Sequence, residues 1–362
     1  MATFKRIGVL TSGGDAPGMN AAVRAITRKA LQQGVQVMGI VGGYSGLVND
    51  KVFPMTPTSV CNIINRGGTF LHSDRCLEFK TEEGMQRAIA TCKKHNIDGI
   101  IAVGGDGTFR GATDLALHGI PTIGVTGTID NDITSTDYTV GFDTAMNTVI
   151  DAADKLRDTC ESHARCNVLE VMGRDCGLVA LEAGIAAGAV AIAIPEIPFD
   201  EKAAIETIKQ AQGNGKRSML VLVSEGVVET LPDGTKVPYG ELLQKRIEEA
   251  TGIETKFARL AHIIRGGSPS LRDRLTATKM GIKAVELLLE GKSNRVVVEE
   301  DGVLNSMDIV FALITDRMYK KKLQEGDLDK FSAEEIAAME AICAKRKAEI
   351  DELYKTAYDV TH

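Results

Sequence analysis

Apolar residues in this chain fall in short runs separated by longer stretches with helical spacing. "RIGVL" (6–10) reads as a buried strand, "MNAAVRAITRKALQQG" (19–34) as an amphipathic helix, and "VQVMGIVGG" (35–43) as a second strand. The alternation continues with strand-like "IIAV" (100–103), "PTIGV" (121–125), "CNVLEVMG" (166–173), "AVAIAIP" (189–195) and "SMLVLVSEG" (218–226). Helices are predicted between them over 81–95, 143–160, 200–213 and 238–251. Strands alternating with helices predict doubly wound parallel sheets, and a length of 362 residues predicts two of them in two domains. "VVETLPDGTKVPYG" (227–240) carries Pro-Asp-Gly and predicts a surface turn or hairpin. The pattern changes from Phe331. Ser332 and Glu335 form a capping-box pair, and Ile336, Met339, Cys343, Ile350, Leu353 and Tyr354 make an apolar stripe. Such a helix packs either on its own domain or at a subunit contact.

Three glycine-rich turns follow predicted strands. In "IAVGGDGTFRGA" (101–112), Gly104 to Thr108 occupy a strand-to-helix turn, which in an α/β protein lies at the carboxyl edge of the sheet where ligands bind. Glycines there let backbone N–H groups approach an anion, and the helix start adds partial positive charge. Asp106 in the same turn either caps the helix or holds a divalent cation that travels with a polyphosphate. A second turn, "TSGGDAPGMN" (11–20), offers the Gly13 amide to a phosphate. The third, "TGTIDND" (126–132), holds Thr128, Asp130 and Asp132. Residues two apart in an extended segment point the same way, so both carboxylates are expected to face one cleft. Close carboxylates repel, which raises the proton affinity of one and suits it to general-base work. A solvated acidic loop is the other reading. Arg75, Arg165, Arg174, His262 and Arg265 stand in turn-like settings, and with the acids they suit a phosphorylated small molecule that receives another phosphate. Neither the dinucleotide glycine motif nor the Walker-type loop occurs.

Charge and cysteine content narrow the setting. With 42 basic and 49 acidic residues the net charge is −7, which disfavours nonspecific nucleic-acid or acidic-membrane binding. No apolar stretch is long enough to span a bilayer, and "MATFKRIGVL" runs straight into a strand, so no secretory signal is expected. Seven cysteines without a C-x-x-C pair argue against a disulfide framework or zinc site and predict a cytoplasmic protein.

The ordered set "LTSGGDAPGMNAA", "GGDGT", "GTIDND", "EVMGR" and "HIIRGGSP" closely resembles the ATP-dependent 6-phosphofructokinases of the bacterial type, in a longer-chain branch. The likeness runs from about residue 5 to about 305. It implies two Rossmann-like three-layer α/β domains with the active site in the cleft between them, usually in a homotetramer. The nucleotide-binding domain would be 1–141 plus about 266–305, the sugar-phosphate domain 142–265 plus about 306–330, and 331–362 a C-terminal helical extension. The reaction implied is phosphoryl transfer from ATP to the 1-hydroxyl of fructose 6-phosphate, a step of glycolysis. Asp130 would take the hydroxyl proton, with Thr128 and Asp132 supporting the reacting groups. The Gly13 amide and Arg75 would stabilise phosphoryl oxygens, and Arg174 would offset charge near the transferring group. Asp106 would hold Mg²⁺ through water, while Gly104, Gly105, Gly107, Thr108, Gly111, Tyr44 and Cys76 line the nucleotide site. Ile129, Met172, Gly173, Glu225, His262, Ile263, Ile264 and Arg265 would meet the sugar phosphate. Arg165, joined by Lys256, would reach the 6-phosphate from a neighbouring subunit.

Several positions sharpen the comparison. Pyrophosphate-dependent relatives carry an Asp after the metal-site Asp and a Lys where Gly127 stands, so Gly107 implies ATP as donor; a pyrophosphate-dependent or mixed-donor enzyme is the alternative. Lys256 stands where many relatives have arginine, which keeps the charge but loses the bidentate fork; Arg259 is a second candidate donor. Arg24, Arg28, Arg157 and Lys216 fit the cationic set of the bacterial effector site. Val190 replaces its glutamate, which implies weak or absent ADP activation. "GGDGT" alone also occurs in NAD kinases and diacylglycerol kinases, which lack the rest of the series. A non-catalytic sugar-phosphate sensor could lose its base and metal acid; here both are present.

Overall fold

The computed structural model describes residues 4–361. In chain order the first strands and helices are β1 (Arg6–Thr11), α1 (Met19–Gln32), β2 (Gln36–Ile40), α2 (Tyr44–Val48), β3 (Val52–Met55), α3 (Glu82–Lys94), β4 (Gly99–Gly104), α4 (Asp106–Leu117) and β5 (Thr122–Thr126). Next come α5 (Phe142–His163), β6 (Cys166–Val171), α6 (Leu178–Ala186), β7 (Ala191–Ala193), α7 (Glu201–Gly213), β8 (Met219–Ser224), β9 (Val228–Thr230), β10 (Lys236–Pro238), α8 (Tyr239–Thr251) and β11 (Thr255–Arg259). The chain closes with α9 (Leu271–Leu289), β12 (Arg295–Glu300), β13 (Val303–Asp308), α10 (Ile309–Tyr319) and α11 (Ala333–Thr361).

Contacts divide these elements between two compact units. The first comprises the segments up to Ile129, Ile133–Thr144 and Arg265–Cys343; the second comprises Asp130–Asp132, Ala145–Ile264 and the chain from Ala344 on. The first unit holds a seven-stranded sheet in the order β13-β12-β5-β4-β1-β2-β3. Its inner strands are parallel, with Val9 opposite Ile101 and Ile101 opposite Ile123. Its two edge strands, β3 and β13, run antiparallel to their neighbours. The second unit holds a four-stranded parallel sheet, β11-β6-β8-β7, and the separate hairpin β9–β10. The two doubly wound α/β sheets expected from the apolar pattern are thus present.

Continuous apolar runs explain the central strands. All six residues of β4 are buried, as are those of β6 and β8, because helices cover both faces of a parallel sheet. Each fully buried Val, Ile or Leu is worth about 1.5–3 kcal/mol. Helix starts are fixed by side-chain caps: Thr81 accepts from the Gly84 N–H, Asp200 from Ala203, Ser270 from Asp273, and Asp308 from Val310 and Phe311. In the hairpin, Asp233 Oδ1 accepts the Thr235 N–H at 2.8 Å and Gly234 takes φ 84°, so the Pro-Asp-Gly signal does make the turn. The capping box at α11 is reciprocal: Ser332 N–H donates to Glu335 Oε2 at 2.8 Å and Glu335 N–H to Ser332 Oγ at 3.2 Å. Met339 and Ile350 of its stripe are buried, as is Arg346, which no apolar pattern marks.

Asp130–Asp132, expected with the first unit, fall in the second, and the tail from residue 331 divides between the units after Cys343. Residues 306–330 were expected with the second unit, but α10 belongs to the first, where Ile309 and Ala312 join the core cluster that contains Phe109 and Leu115 of α4. The reason is local. Strand β13 pairs with β12 along its length, and α10 follows it with no connecting loop.

Candidate active site

In the first unit the three glycine turns, the third as far as Ile129, lie side by side, because β5, β4 and β1 are neighbours and the turns leave their carboxyl ends. Ser12 N–H donates to the Val103 carbonyl at 3.0 Å, Gly127 N–H to the Gly104 carbonyl at 2.9 Å, and Thr108 Oγ1 to the Ser12 carbonyl at 3.0 Å. The glycines are needed for this closeness. A Cβ at Gly104 would lie 2.3 Å from Thr108 Oγ1 and 2.4 Å from the Ser12 carbonyl oxygen. Gly13 has φ 82°, which suits glycine, and its carbonyl accepts from Ser73 Oγ at 2.5 Å. Thr128 is buried and its carbonyl accepts from Thr139 Oγ1 at 2.6 Å.

Helix α4 begins two residues earlier than its apolar spacing indicates. Gly105 is the N-cap, with no side-chain cap bond, and Asp106, Gly107 and Thr108 form the first turn. The capping reading of Asp106 is therefore not realised. Its carboxylate instead pairs with Arg110, one turn on, at 2.8 Å. A Cβ added at Gly107 meets nothing within 4 Å, so open space flanks the helix start at that position. At Gly111 the opposite holds, since a Cβ there would sit 2.6 Å from the Tyr44 ring. Tyr44 itself is buried, stacks on Phe79 at 4.3 Å and donates its hydroxyl to the Thr108 carbonyl. Burial and the Asp114 charge push its hydroxyl pKa up, so it acts as a neutral wall. Arg75 is exposed, whereas Cys76 is half-buried and packs on the cluster containing Tyr44 and Phe79. Arg265 is buried, and its Nη1 donates to the Asp15 carbonyl at 3.4 Å. Its guanidinium lies over Gly14, where a Cβ would come within 2.7 Å of Nη1.

In the second unit, Asp130 has 1% of its side chain exposed and pairs with Arg174 Nε at 3.3 Å. Arg174 takes φ 52°, a left-handed conformation that costs a non-glycine residue roughly 1–2 kcal/mol. Its backbone N–H donates to Glu225 Oε1 at 3.1 Å, and Glu225 is tied to Val171 at the end of β6. Gly173 precedes it at φ 146° and Gly226 passes so close that a Cβ would meet the Arg174 carbonyl oxygen at 2.0 Å. Met172 is buried beside them in the chain. The "VMGR" turn therefore aims one arginine at one aspartate.

The expectation that Asp130 and Asp132 project alike rested on an extended segment, and that premise fails. Asn131 has φ 46°, which breaks the alternation between them. Asp130 is buried and Asp132 half-buried.

Arg165, just before β6, and Lys256, on neighbouring β11, share one carboxylate. Glu254 Oε2 lies 2.6 Å from Arg165 Nε and Oε1 lies 2.8 Å from Lys256 Nζ. Hydrogen bonds from Arg165 and then Lys256 lower the Glu254 pKa to about 2. Nothing in the spacing of Glu254 along the sequence marks it as a bridge. Arg259, the second candidate donor, is held instead by Glu170 at 2.5 Å and stacks on Phe257 at 5.2 Å. His262 and Ile263 are exposed, but Ile264 is fully buried, as is Ile129; only their backbones are available to a ligand.

Asp273 is a second residue whose role the sequence signals only weakly. Asp273 is fully buried in α9 and accepts from Tyr138 Oη at 2.6 Å, Gly141 N–H at 2.6 Å, Thr144 N–H at 2.9 Å and the Thr144 hydroxyl. It clasps the segment that leads out of the third turn. The signal was the capping pattern Ser270-x-x-Asp273 directly after "RGGSP".

Among the described residues, no group of three or more His, Cys, Asp or Glu is arranged to hold a metal ion. A cation at the first turn of α4 must then bring most of its ligands with it, as water and phosphate oxygens, and the partly exposed Asp106 fits that role. Of the effector-type set, Arg157 donates to the Ala187 carbonyl, and Val190 is buried. No helix among the described residues is long and apolar enough to cross a membrane.

Parallel sheets whose strands end in glycine turns define a doubly wound α/β protein, with anion-accepting loops and a helix start in the first unit and a buried acid–arginine pair in the second. The chain belongs to the phosphofructokinase family, whose model matches residues 6–288. It is 51% identical over 322 residues to "ATP-dependent 6-phosphofructokinase 1" of Clostridium perfringens, covering 89% of this chain and 98% of that relative. The "ATP-dependent 6-phosphofructokinase" of Bacillus subtilis is likewise 51% identical over 322 residues. Among solved structures, phosphofructokinase from Saccharomyces cerevisiae aligns with TM-score 0.81 and 30% identity over 93% of this chain, which spans 50% of the yeast chain. A pyrophosphate-dependent phosphofructokinase from Marinobacter aquaeolei shares the fold, at TM-score 0.73 and 22% identity over 84% of this chain.

Proposed function

We propose that this protein transfers the γ-phosphate of ATP to the 1-hydroxyl of fructose 6-phosphate, giving fructose 1,6-bisphosphate and ADP. The observation that carries the reading is the buried Asp130–Arg174 pair on the "GTIDND" and "VMGR" turns, in a chain half identical to proteins named for that reaction. Asp130 accepts the proton of the attacking hydroxyl, and Arg174, alongside it, balances charge as the phosphoryl group moves. A positioned base of this kind typically contributes ~10²–10⁴-fold.

Phosphoryl transfer depends on alignment and charge neutralisation more than on covalent help. The Gly13 amide and Arg75 receive phosphoryl oxygens, while Gly104 to Thr108, Gly111, Tyr44 and Cys76 line the nucleotide site. Thr128 and Asp132 support the reacting groups. Asp106 would hold Mg²⁺ through water, and the bound ion would neutralise charge on the transferring phosphates. Met172, Gly173, Glu225, His262 and Arg265, with the backbones of Ile129, Ile263 and Ile264, hold the sugar phosphate.

Arg165 and Lys256 reach the 6-phosphate of a neighbouring subunit in a homotetramer. The apolar start of α9, where Leu271 is 80% and Leu275 50% exposed one turn apart, supports a subunit contact. The open space at Gly107 supports ATP over pyrophosphate as donor.

The test is a coupled assay for fructose 1,6-bisphosphate with ATP or pyrophosphate, each with and without Mg²⁺, at several protein concentrations. Turnover with ATP and Mg²⁺ alone is expected. Turnover with pyrophosphate and none with ATP would overturn the donor, and binding of both substrates without product would identify a sensor instead.

A further inference from the structure

A cavity of about 330 Å³ lies between the start of α7 and the last turns of α11, with every lining residue in the second unit. Its size falls at the lower end of the about 300–1,000 Å³ range of ligand pockets, which selects a small molecule. Three aromatic rings line it: Phe199, Tyr354 and Tyr358. The chain has only 6 Tyr, 10 Phe and no Trp, so three rings around one cavity are a local concentration. Among the described residues of the lining, Asp200 is the only charged side chain and none is Lys, Arg or His.

These groups are held in place. Asp200 caps α7, its Oδ1 accepting the Ala203 N–H at 3.0 Å, which fixes the carboxylate at the mouth. Phe199 is braced edge-on by Tyr239, 6.0 Å between ring centres. Burial, and then the charge of Asp200, raises the Tyr354 hydroxyl pKa, so that ring stays neutral beside the carboxylate. Val190 contributes apolar wall.

Aromatic faces attract cations through their quadrupole, and a carboxylate beside them adds charge of the right sign while repelling anions. We propose that this cavity binds a small organic cation, an ammonium group carrying a compact apolar body. The ammonium lies against Tyr354 and Tyr358 near Asp200, and the apolar body contacts Phe199 and Val190. This site does not depend on the phosphotransfer reading. Phosphate esters and carboxylates are excluded by the same carboxylate.

The test uses the full chain and three probes with one shared phenyl body: phenethylammonium, 2-phenylethanol and 3-phenylpropionate. Binding is followed by titration calorimetry and ligand-observed saturation transfer. Phenethylammonium is expected to saturate, the alcohol to bind roughly threefold to thirtyfold more weakly, the span a cation–π contact supplies, and the carboxylate not at all. Asp200→Asn keeps the capping oxygen and should bring the ammonium down to the level of the alcohol. Ala203→Leu fills the cavity and should remove both. The proposal is overturned if phenethylammonium does not saturate, if the alcohol or the carboxylate binds as tightly as the ammonium, or if Asp200→Asn leaves ammonium affinity unchanged at an unchanged melting temperature.

Discussion

Replacing Gly107 by Asp separates the nucleotide turn from the fold that carries it. The site has room, since a Cβ there meets no atom within 4 Å and the backbone is not left-handed. Position 107 is also the second residue of α4. A carboxylate in the first turn gains about 0.3–1 kcal/mol from the helix macrodipole, and losing a helical glycine adds a few tenths more, less any repulsion from Asp106. The variant should therefore melt at or above the parent's temperature. The cost appears only with ligand. A unit charge about 5 Å from another of like sign, at an effective dielectric of about 20, costs about 3 kcal/mol. That corresponds to roughly 10²-fold in kcat/KM for ATP. Initial rates at saturating fructose 6-phosphate and varied ATP, beside a calorimetric melt, measure both halves. An ATP kcat/KM within threefold of the parent would refute the placement of nucleotide phosphate beside residue 107. A markedly lower melting temperature would refute the claim that the position is open.

Asp130→Ser should lower kcat at least ~100-fold, with circular dichroism unchanged, because a base and the partner of Arg174 are removed together. Gly14→Ala brings a methyl within 2.7 Å of Arg265 Nη1, so the guanidinium must shift; KM for fructose 6-phosphate should rise roughly tenfold while kcat changes less, which steady-state kinetics will show. Asp273→Ala strips four donors of their buried acceptor and should cost at least about 3 kcal/mol in urea unfolding, with Asp273→Asn in between. Glu254, held down to about 2 by Arg165 and Lys256, should add its full stabilisation above its ordinary 4.5 and lose it progressively as pH falls from there toward 2. Carbon NMR should find its midpoint moving up toward the ordinary range in Arg165→Gln.

The parts of the fold that could be read from the sequence are those where burial is continuous. Runs such as "RIGVL" and "IIAV" sit between two helical layers and need no partner to be recognised. Strand β11, "TKFAR", is an edge strand with mixed exposure, and β13 alternates partly buried and exposed residues, so neither stands out from loop composition. The glycine turns were legible because some of their positions admit little but glycine: Gly104 closes on the Ser12 carbonyl and Gly13 takes a left-handed φ. Bonds between distant segments were not legible. Glu254 bridging two cations, Asp273 holding residues 138–144, and Arg174 entering a left-handed turn to reach Asp130 all depend on pairings that no local pattern encodes.

The interleaving of segments has a consequence during synthesis. The chain passes between units after Ile129, Asp132, Thr144, Ile264 and Cys343. Strand β5 therefore leaves the ribosome with one side unpaired, and its partner β12 follows only after nearly the whole second unit has been made. Throughout that interval a fully buried-type strand, "TIGVT", offers its free edge to any other nascent chain. Slower translation upstream of β12 should therefore raise the aggregated fraction, whereas a pause after β13 should not.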